Sequence, residues 1–386
     1  MQMYCCEKCF KDVNVINFIK EEGKTGACNY CNSQDVFVIS SDKLTSMFNI
    51  LSSYYKPTSP GEDFDPEYQN ADDVGASLWT LVQKDWGVFS LSTKHQLLYD
   101  IVNSERTINN NITETTLFSS AHDSLTCSWT SEIWLSLSSN LINHNRYFPE
   151  KNLSYYFNEG SLLDYLAAIL KNTFTTINPS TKLYRARIGC FDNTDALYAP
   201  PESKILRSGR ANPIGIRVLY SAINVDTAIA EVRPWKSSKI TIASVTPTSE
   251  LHLVDLANIK SKIENILKSP FNFKKNIYKE LDALYFLSSL DEVLSKPIDP
   301  NISELEYIPS QYLTEFIKSL GYDGVIYSSS LGPGENYVFF ETYKFNFDPS
   351  KPSKPSKLEI KIIDYYKIND IMYDYSSVHS SIKQLT

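Results

Sequence analysis

The stretch KLYRARIGC, residues 182–190, sets two arginines into what otherwise reads as a β-strand. Side chains alternate faces along a strand, so Leu183, Arg185 and Arg187 share one side and Tyr184, Ala186 and Ile188 the other. A guanidinium on a rigid strand is held in place in a way that one on a loop is not. Beyond this stretch short strands dominate: RVLYSA, KITIASV, LHLVDL, GVIYSS, NYVFFETY and KLEIKIIDYYKI. Helices fall between them, notably NVDTAIAEVR, KNIYKELDALYFLSSL and SQYLTEFIKSLGY. In the last, Leu313, Phe316, Ile317 and Leu320 form one apolar face, and Gly321 stands where a helix ends. Residues 179–386 therefore read as an α+β domain, with the proline-, serine- and lysine-rich DPSKPSKPSK as a surface loop before the final strand.

Upstream, the pattern is helical. Leu44, Met47, Phe48, Leu51 and Tyr55 recur at helical spacing, and KHQLLYDIV, SEIWLSLSSNLIN and GSLLDYLAAILKNTF continue it, so 41–178 reads as an all-α domain. The acidic SPGEDFDPEYQNADD interrupts it as a loop. The first 40 residues differ again. Five of the seven cysteines fall within the first 31 residues, and Cys6-x-x-Cys9 with Cys28-x-x-Cys31 has the spacing of a four-thiolate zinc ribbon. Cys5 competes with Cys6 for one position, though Cys6 alone keeps the two-residue gap. Cys127 and Cys190 read as isolated core thiols.

Composition bounds what such a chain can do. With 386 residues it is too long for one ordinary core, and 42% hydrophobic against 21% charged residues predicts a soluble folded protein. No apolar run is long enough to span a bilayer, and no secretory pattern opens the chain, which predicts a cytoplasmic protein. The net charge of −8 argues against a broad phosphate-binding surface for nucleic acid, but not against a local basic pocket.

Four segments hold polar residues that packing alone would not choose. They are Arg185 with Arg187; SGRANPIGIRVLYSA, with Arg210, Asn212 and Tyr220; NVDTAIAEVRP, where Asn224 or Asp226 can cap a helix bearing Glu231; and YDGVIYSSSLGPGENYVFF, with Ser328 to Ser330 and Asn336. Singly, each has a structural explanation as an ion pair, a core aromatic or a loop. Together, an arginine, a tyrosine, a glutamate and a serine make a pocket for a nucleotide. No histidine lies in these blocks, which disfavours a serine–histidine hydrolase.

Residues 180 to about 345 resemble the RES family through LYRAR, GRANPIG…VLYSA…TAIAEVRP and GYDGVIYSSSLGPGENYVFF, in that order. The resemblance implies an ADP-ribosyltransferase-like fold and a site that degrades NAD, with catalytic Arg185, Tyr220, Glu231 and Ser329. Arg187, Arg210, Asn212 and Asn336 are expected beside them at the substrate, with Ser328 and Ser330 as rivals of Ser329. The N-terminal part resembles the HEPN-like region found before some RES domains. It has no arginine shortly before a histidine, the arrangement that cuts RNA: among Arg106, His122, His144 and Arg146 the short pair runs in the opposite order.

Two enzyme classes and one non-catalytic class follow. The leading one is NAD glycohydrolase or phosphorylase activity in a toxin or a phage-defence effector, with zinc structural and an antitoxin, a phage-derived trigger or a second copy as partner. The alternatives are an ADP-ribosyltransferase and a non-catalytic nucleotide- or partner-binding protein. Arginine-specific transferases carry an acidic residue two positions before the catalytic glutamate, where this chain has Ile229.

Overall fold

The computed structural model describes residues 2–58, 75–104, 112–120, 129–149, 161–200, 204–298, 303–340 and 357–372. The acidic loop at 59–73, most of the lysine- and proline-rich loop, Arg106, His122 and Cys127 lie outside them. The chain divides into two compact units, one of Met1–Glu132 with Ile259–Leu287, the other of Ile133–Asn258 with Ser288–Thr386. The boundaries read from composition at 40 and 178 are not where these units divide.

In the first unit, strands β1 (Tyr4–Cys6), β2 (Lys24–Gly26) and β3 (Val36–Ser40) form an antiparallel sheet in the order β1-β3-β2. The helix Val13–Glu22 begins at Asp12, whose carboxylate accepts from the Asn14 and Val15 N–H groups. The 41–178 segment differs from the all-helical expectation. Its first helical pattern is a four-residue helix, Thr45–Phe48, between two 3-10 turns, and Tyr55 opens a strand. That strand, β4 (Tyr55–Pro57), joins β5 (Ala76–Ser77) and β6 (Leu117–Ser120) in a sheet ordered β4-β6-β5. Aromatic packing replaces helical regularity here: Phe10, Phe48 and Phe89 meet in the core, and Trp79 stacks on Phe89 at 4.5 Å. The helix Gln96–Val102 lies within KHQLLYDIV, where the apolar periodicity puts it, whereas the helix Leu78–Asp85 is one that the periodicity did not single out.

The second unit is organised by an eight-stranded sheet of β7 (Phe174–Ile177), β8 (Leu183–Ile188), β9 (Val218–Ala222), β10 (Lys239–Pro247), β11 (Leu251–Asp255), β12 (Gly324–Ser328), β13 (Glu335–Phe340) and β14 (Leu358–Lys367). Their order is β14-β10-β8-β9-β13-β12-β11-β7. All neighbours are antiparallel except β11 and β12, whose parallel pairing needs a long connection that leaves and re-enters the sheet. The mixture of helix and sheet fits the α+β expectation.

Alternation along β8 sends its residues to two cores. Leu183 packs with Ala243, Val245, Leu219 and Ile326, whereas Ala186 packs with Ala222, Ala228, Ile240 and Ile242. The second core holds the helix Val225–Glu231, whose Ala228 is small enough to bring the helix close to β8 and β9. Cys190 departs from the core-thiol expectation. It follows Gly189, which has φ +123° at the end of β8, and is exposed.

Candidate active site

Four consecutive strands, β8, β9, β13 and β12, bring the polar segments together. The pairing Tyr184↔Ala222, Asn336↔Ala222 and Tyr327↔Asn336 runs across them, placing Arg185, Tyr220, Asn336 and Tyr327 around one cavity. Its volume is about 500 Å³, and Arg187, Arg210, Glu231 and Arg233 also line it.

Glu231 is the last residue of its helix. Asn224 caps the other end, accepting from the Thr227 N–H at 2.8 Å, as the sequence allowed. The same end clamps the loop that follows β12: Asn224 Nδ2 and Thr227 Oγ1 both donate to the Pro333 carbonyl. A Cβ on Gly332 would come within 2.7 Å of Thr227 Cα, so a glycine is required for this approach. The clamp delivers Ser329 and Asn336 to the carboxylate. Ser329 Oγ donates to Glu231 Oε1 at 2.8 Å and Asn336 Nδ2 donates to the same oxygen at 2.7 Å. Ser329 Oγ in turn accepts from the N–H groups of Leu331 and Gly332, which fixes the direction of its proton. Oε2 of Glu231 has no hydrogen-bond partner among the described residues, so one carboxylate oxygen is anchored and the other is free in the cavity wall.

Ser328 is turned elsewhere. Its N–H and its hydroxyl both donate to the buried Asp291, at 2.8 Å each. Of the two neighbouring serines, only Ser329 reaches Glu231.

Arg185 is partly enclosed, and its Nη1 donates to the Tyr220 carbonyl at 2.7 Å. Its Nε is sealed from water without a hydrogen-bond partner, and no carboxylate pairs with it among the described residues. Burial, and then the like charge of Arg187, push its pKa down to about 10, which leaves it protonated at neutral pH. A buried cation with spare donors and no counterion is costly, and an anionic ligand would relieve that cost.

The other predicted residues are more committed. Arg187 donates to the Ala196 carbonyl and lies over the Phe191 ring at 4.8 Å. Arg210 donates to the carbonyls of Leu294 and Lys296, at the end of the helix Ile277–Ser295, and lies 5.7 Å from the Tyr307 ring. Asn212 is buried and does not line the cavity. Its amide donates to the Pro213 and Ile216 carbonyls, and its oxygen accepts from the Tyr220 hydroxyl at 2.8 Å. The expected substrate contact is therefore replaced by one that positions Tyr220. That hydroxyl also accepts from the Ala211 N–H, and burial raises its pKa well above the ordinary phenol value. A Cβ on Gly209 would lie 2.6 Å from both the Asn212 oxygen and the Tyr220 hydroxyl, so the turn closes only around glycine.

What holds this turn lies about a hundred residues away and is not apparent from the sequence around it. In the helix Ile308–Ser319, Ser310, Gln311 and Thr314 donate to the carbonyls of Arg210, Gly209 and Ala211 respectively. All three are buried, polar side chains among the buried Ile308, Leu313 and Ile317 of the same helix. Tyr307 and Tyr327 were missed as walls. Tyr327 could have been found from strand alternation, since it directly opposes Asn336.

In the first unit, Cys6, Cys9, Cys28 and Cys31 bring their sulfurs within 4.8 Å of one another. Cys6–Cys31, Cys9–Cys28 and Cys6–Cys9 are 3.5, 3.4 and 3.9 Å apart. A tetrahedral site with Zn–S near 2.3 Å has an S···S edge of about 3.8 Å, so the donor set fits zinc. Cys5 is not in this cluster, and its Sγ donates to the Ile39 carbonyl.

No helix among the described residues is long and apolar enough to cross a membrane. No curated protein matches the chain. Among solved structures, the chain is similar to one in the crystal structure of the M. tuberculosis MbcT–MbcA toxin–antitoxin complex, at 15% identity and a TM-score of 0.29, covering 52% of this chain and 91% of that one. Residues 182–358, the stretch that holds every residue lining the cavity, match the family model of the RES domain.

Proposed function

We propose that the cavity cleaves the bond between nicotinamide and ribose in NAD, as a glycohydrolase or phosphorylase. The observation that carries this reading is the Glu231 carboxylate, anchored through one oxygen by Ser329 and Asn336 and free through the other. When the C–N bond breaks, its electron pair leaves with nicotinamide and positive charge develops on the sugar. A fixed carboxylate stabilises that cation more than the neutral ground state. Water, or phosphate, then adds to the ribose carbon. Arg185 takes the pyrophosphate through its unpaired donors, and strand β8 fixes the phosphate relative to the scissile bond. Tyr220, with its hydroxyl occupied, offers a ring wall rather than a proton.

A transferase acting on arginine is less well supported. Ile229 packs against the Ala186–Ala222 core, where such enzymes place a second acid. In cells, uncontrolled NAD cleavage would make the chain a toxin or a phage-defence effector, held off by an antitoxin or released by a trigger. Zinc bound by the four cysteines would stabilise the first unit and take no part in the chemistry, because four thiolates leave no open coordination position.

The test is to incubate the purified chain with NAD and identify the products by chromatography. Release of nicotinamide is expected, and Glu231→Gln should abolish it while leaving the thermal unfolding midpoint intact. Near-normal turnover in that variant would reduce Glu231 to a structural partner.

A further inference from the structure

Four guanidinium groups line the cavity, and they are not equivalent. Arg187 is held by one carbonyl oxygen and an aromatic ring, and Arg210 by two carbonyl oxygens and a ring. Arg185 is held by one carbonyl and keeps donors in reserve. Arg233 is different from all three. Its guanidinium is exposed and has neither a hydrogen-bond nor an ion-pair partner among the described residues, although it lines the same cavity.

Its backbone is also unusual. Arg233 has φ +46°, in the left-handed region that a residue with a Cβ seldom enters. The backbone strain of such a residue persists where something other than stability retains it. Glycine would adopt this conformation without penalty. The arginine stands two residues after Glu231, on the turn that ends the helix, with its N–H donating to the Ala230 carbonyl. A left-handed residue at this point redirects the chain after the helix, and here it brings to the cavity a cation with no counterion among the described residues.

We infer that Arg233 is a second phosphate-binding residue, the outer partner of Arg185, and that it makes the cavity select a ligand with two linked phosphates over one with a single phosphate. This inference rests on the nucleotide reading of the site but does not require cleavage. A pyrophosphate carries two separated negative charges, and one buried guanidinium can meet one of them closely. Arg233, exposed at the cavity, meets the other. Its contribution is screened by salt, whereas that of Arg185 is screened much less.

The test uses the full chain carrying Glu231→Gln, so that no ligand is consumed, with ADP-ribose and nicotinamide mononucleotide as probes in titration calorimetry. Adding Arg233→Gly should weaken ADP-ribose roughly tenfold or more and nicotinamide mononucleotide less than threefold. Arg233→Lys should fall between, because the charge stays and the planar fork is lost. The thermal unfolding midpoint of Arg233→Gly should be unchanged or raised, since the backbone strain is relieved. An equal loss for both probes, an unchanged ADP-ribose affinity, no ADP-ribose binding before Arg233 is altered, or a midpoint lowered by several degrees would each overturn the inference. If the two-phosphate preference depends on Arg233 while the unsubstituted chain fails to release nicotinamide from NAD, the inference stands and the cleavage reading falls.

Discussion

Replacing Ser329 by alanine tests whether it orients the carboxylate while its neighbour Ser328 serves the fold. Ser329→Ala removes one of two hydrogen bonds to Glu231 Oε1 and leaves Asn336 as the only anchor among the described residues. A hydrogen bond to a charged group contributes about 1.5–3 kcal/mol. If that orientation matters chiefly in the transition state, turnover should fall roughly 10- to 150-fold, with the Michaelis constant for NAD changing little. The N–H groups of Leu331 and Gly332 also lose their acceptor, but Leu331 is exposed and water can replace the hydroxyl there. Ser328→Ala makes the contrast. It removes a hydrogen bond to the buried Asp291, which keeps the Ser328 N–H, so the loss should appear in stability at about 1.5–3 kcal/mol and not in turnover per folded molecule. Nicotinamide release measured beside denaturant unfolding gives both quantities for both variants. The double variant Ser329→Ala with Asn336→Ala should be non-additive, because the two side chains serve one oxygen. Equal turnover for Ser328→Ala and Ser329→Ala would refute the orienting role.

Arg185→Lys should lower the affinity for NAD at least tenfold, since a lysine keeps the charge but not the planar two-point contact; unchanged initial rates at low NAD would count against Arg185 as the phosphate ligand. Gly209→Ala should destabilise the protein by about 1–3 kcal/mol, because its Cβ would meet Asn212 and Tyr220 at 2.6 Å; an unaltered denaturant midpoint would show that the turn can open. One zinc per chain is expected by elemental analysis, falling when any of Cys6, Cys9, Cys28 or Cys31 becomes serine but not when Cys5 does. Chelation should lower thermal stability, and a folded chelated protein with intact stability would remove the metal's structural role.

Arg185 was legible because a charged residue on a strand breaks the alternation that its neighbours keep. The cap at Asn224 was legible for a local reason, since the capping side chain reaches a backbone N–H three residues on. Ser329 could not be separated from Ser328 on those grounds. Adjacent residues at a strand end face opposite ways, and which one meets Glu231 depends on pairing with β13 and on the loop clamp at Pro333. Asn212 looked like a ligand residue because it is polar and lies in a glycine-rich turn. Its partners, Tyr220 on β9 and Gln311 roughly a hundred residues further on, make it a strut. The division into units was hidden for a related reason. The helical pattern of 259–287 reads as one more connection in the C-terminal half, and only long-range contacts assign it to the N-terminal unit.

The strand order has a consequence for how the chain comes into being. Arg185, Tyr220 and Glu231 lie in the first part of the second unit's sequence, yet β13 is the strand that joins β9 to β12, and it begins at Glu335. A ribosome makes the chain from the N-terminus, so the arginine, the tyrosine and the glutamate emerge while Ser329 and Asn336 are still unmade. Until β13 adds to β9, the carboxylate has neither of its anchors and the cavity lacks one wall. The pocket and its anchored carboxylate therefore take shape only after the chain has been made past Asn336.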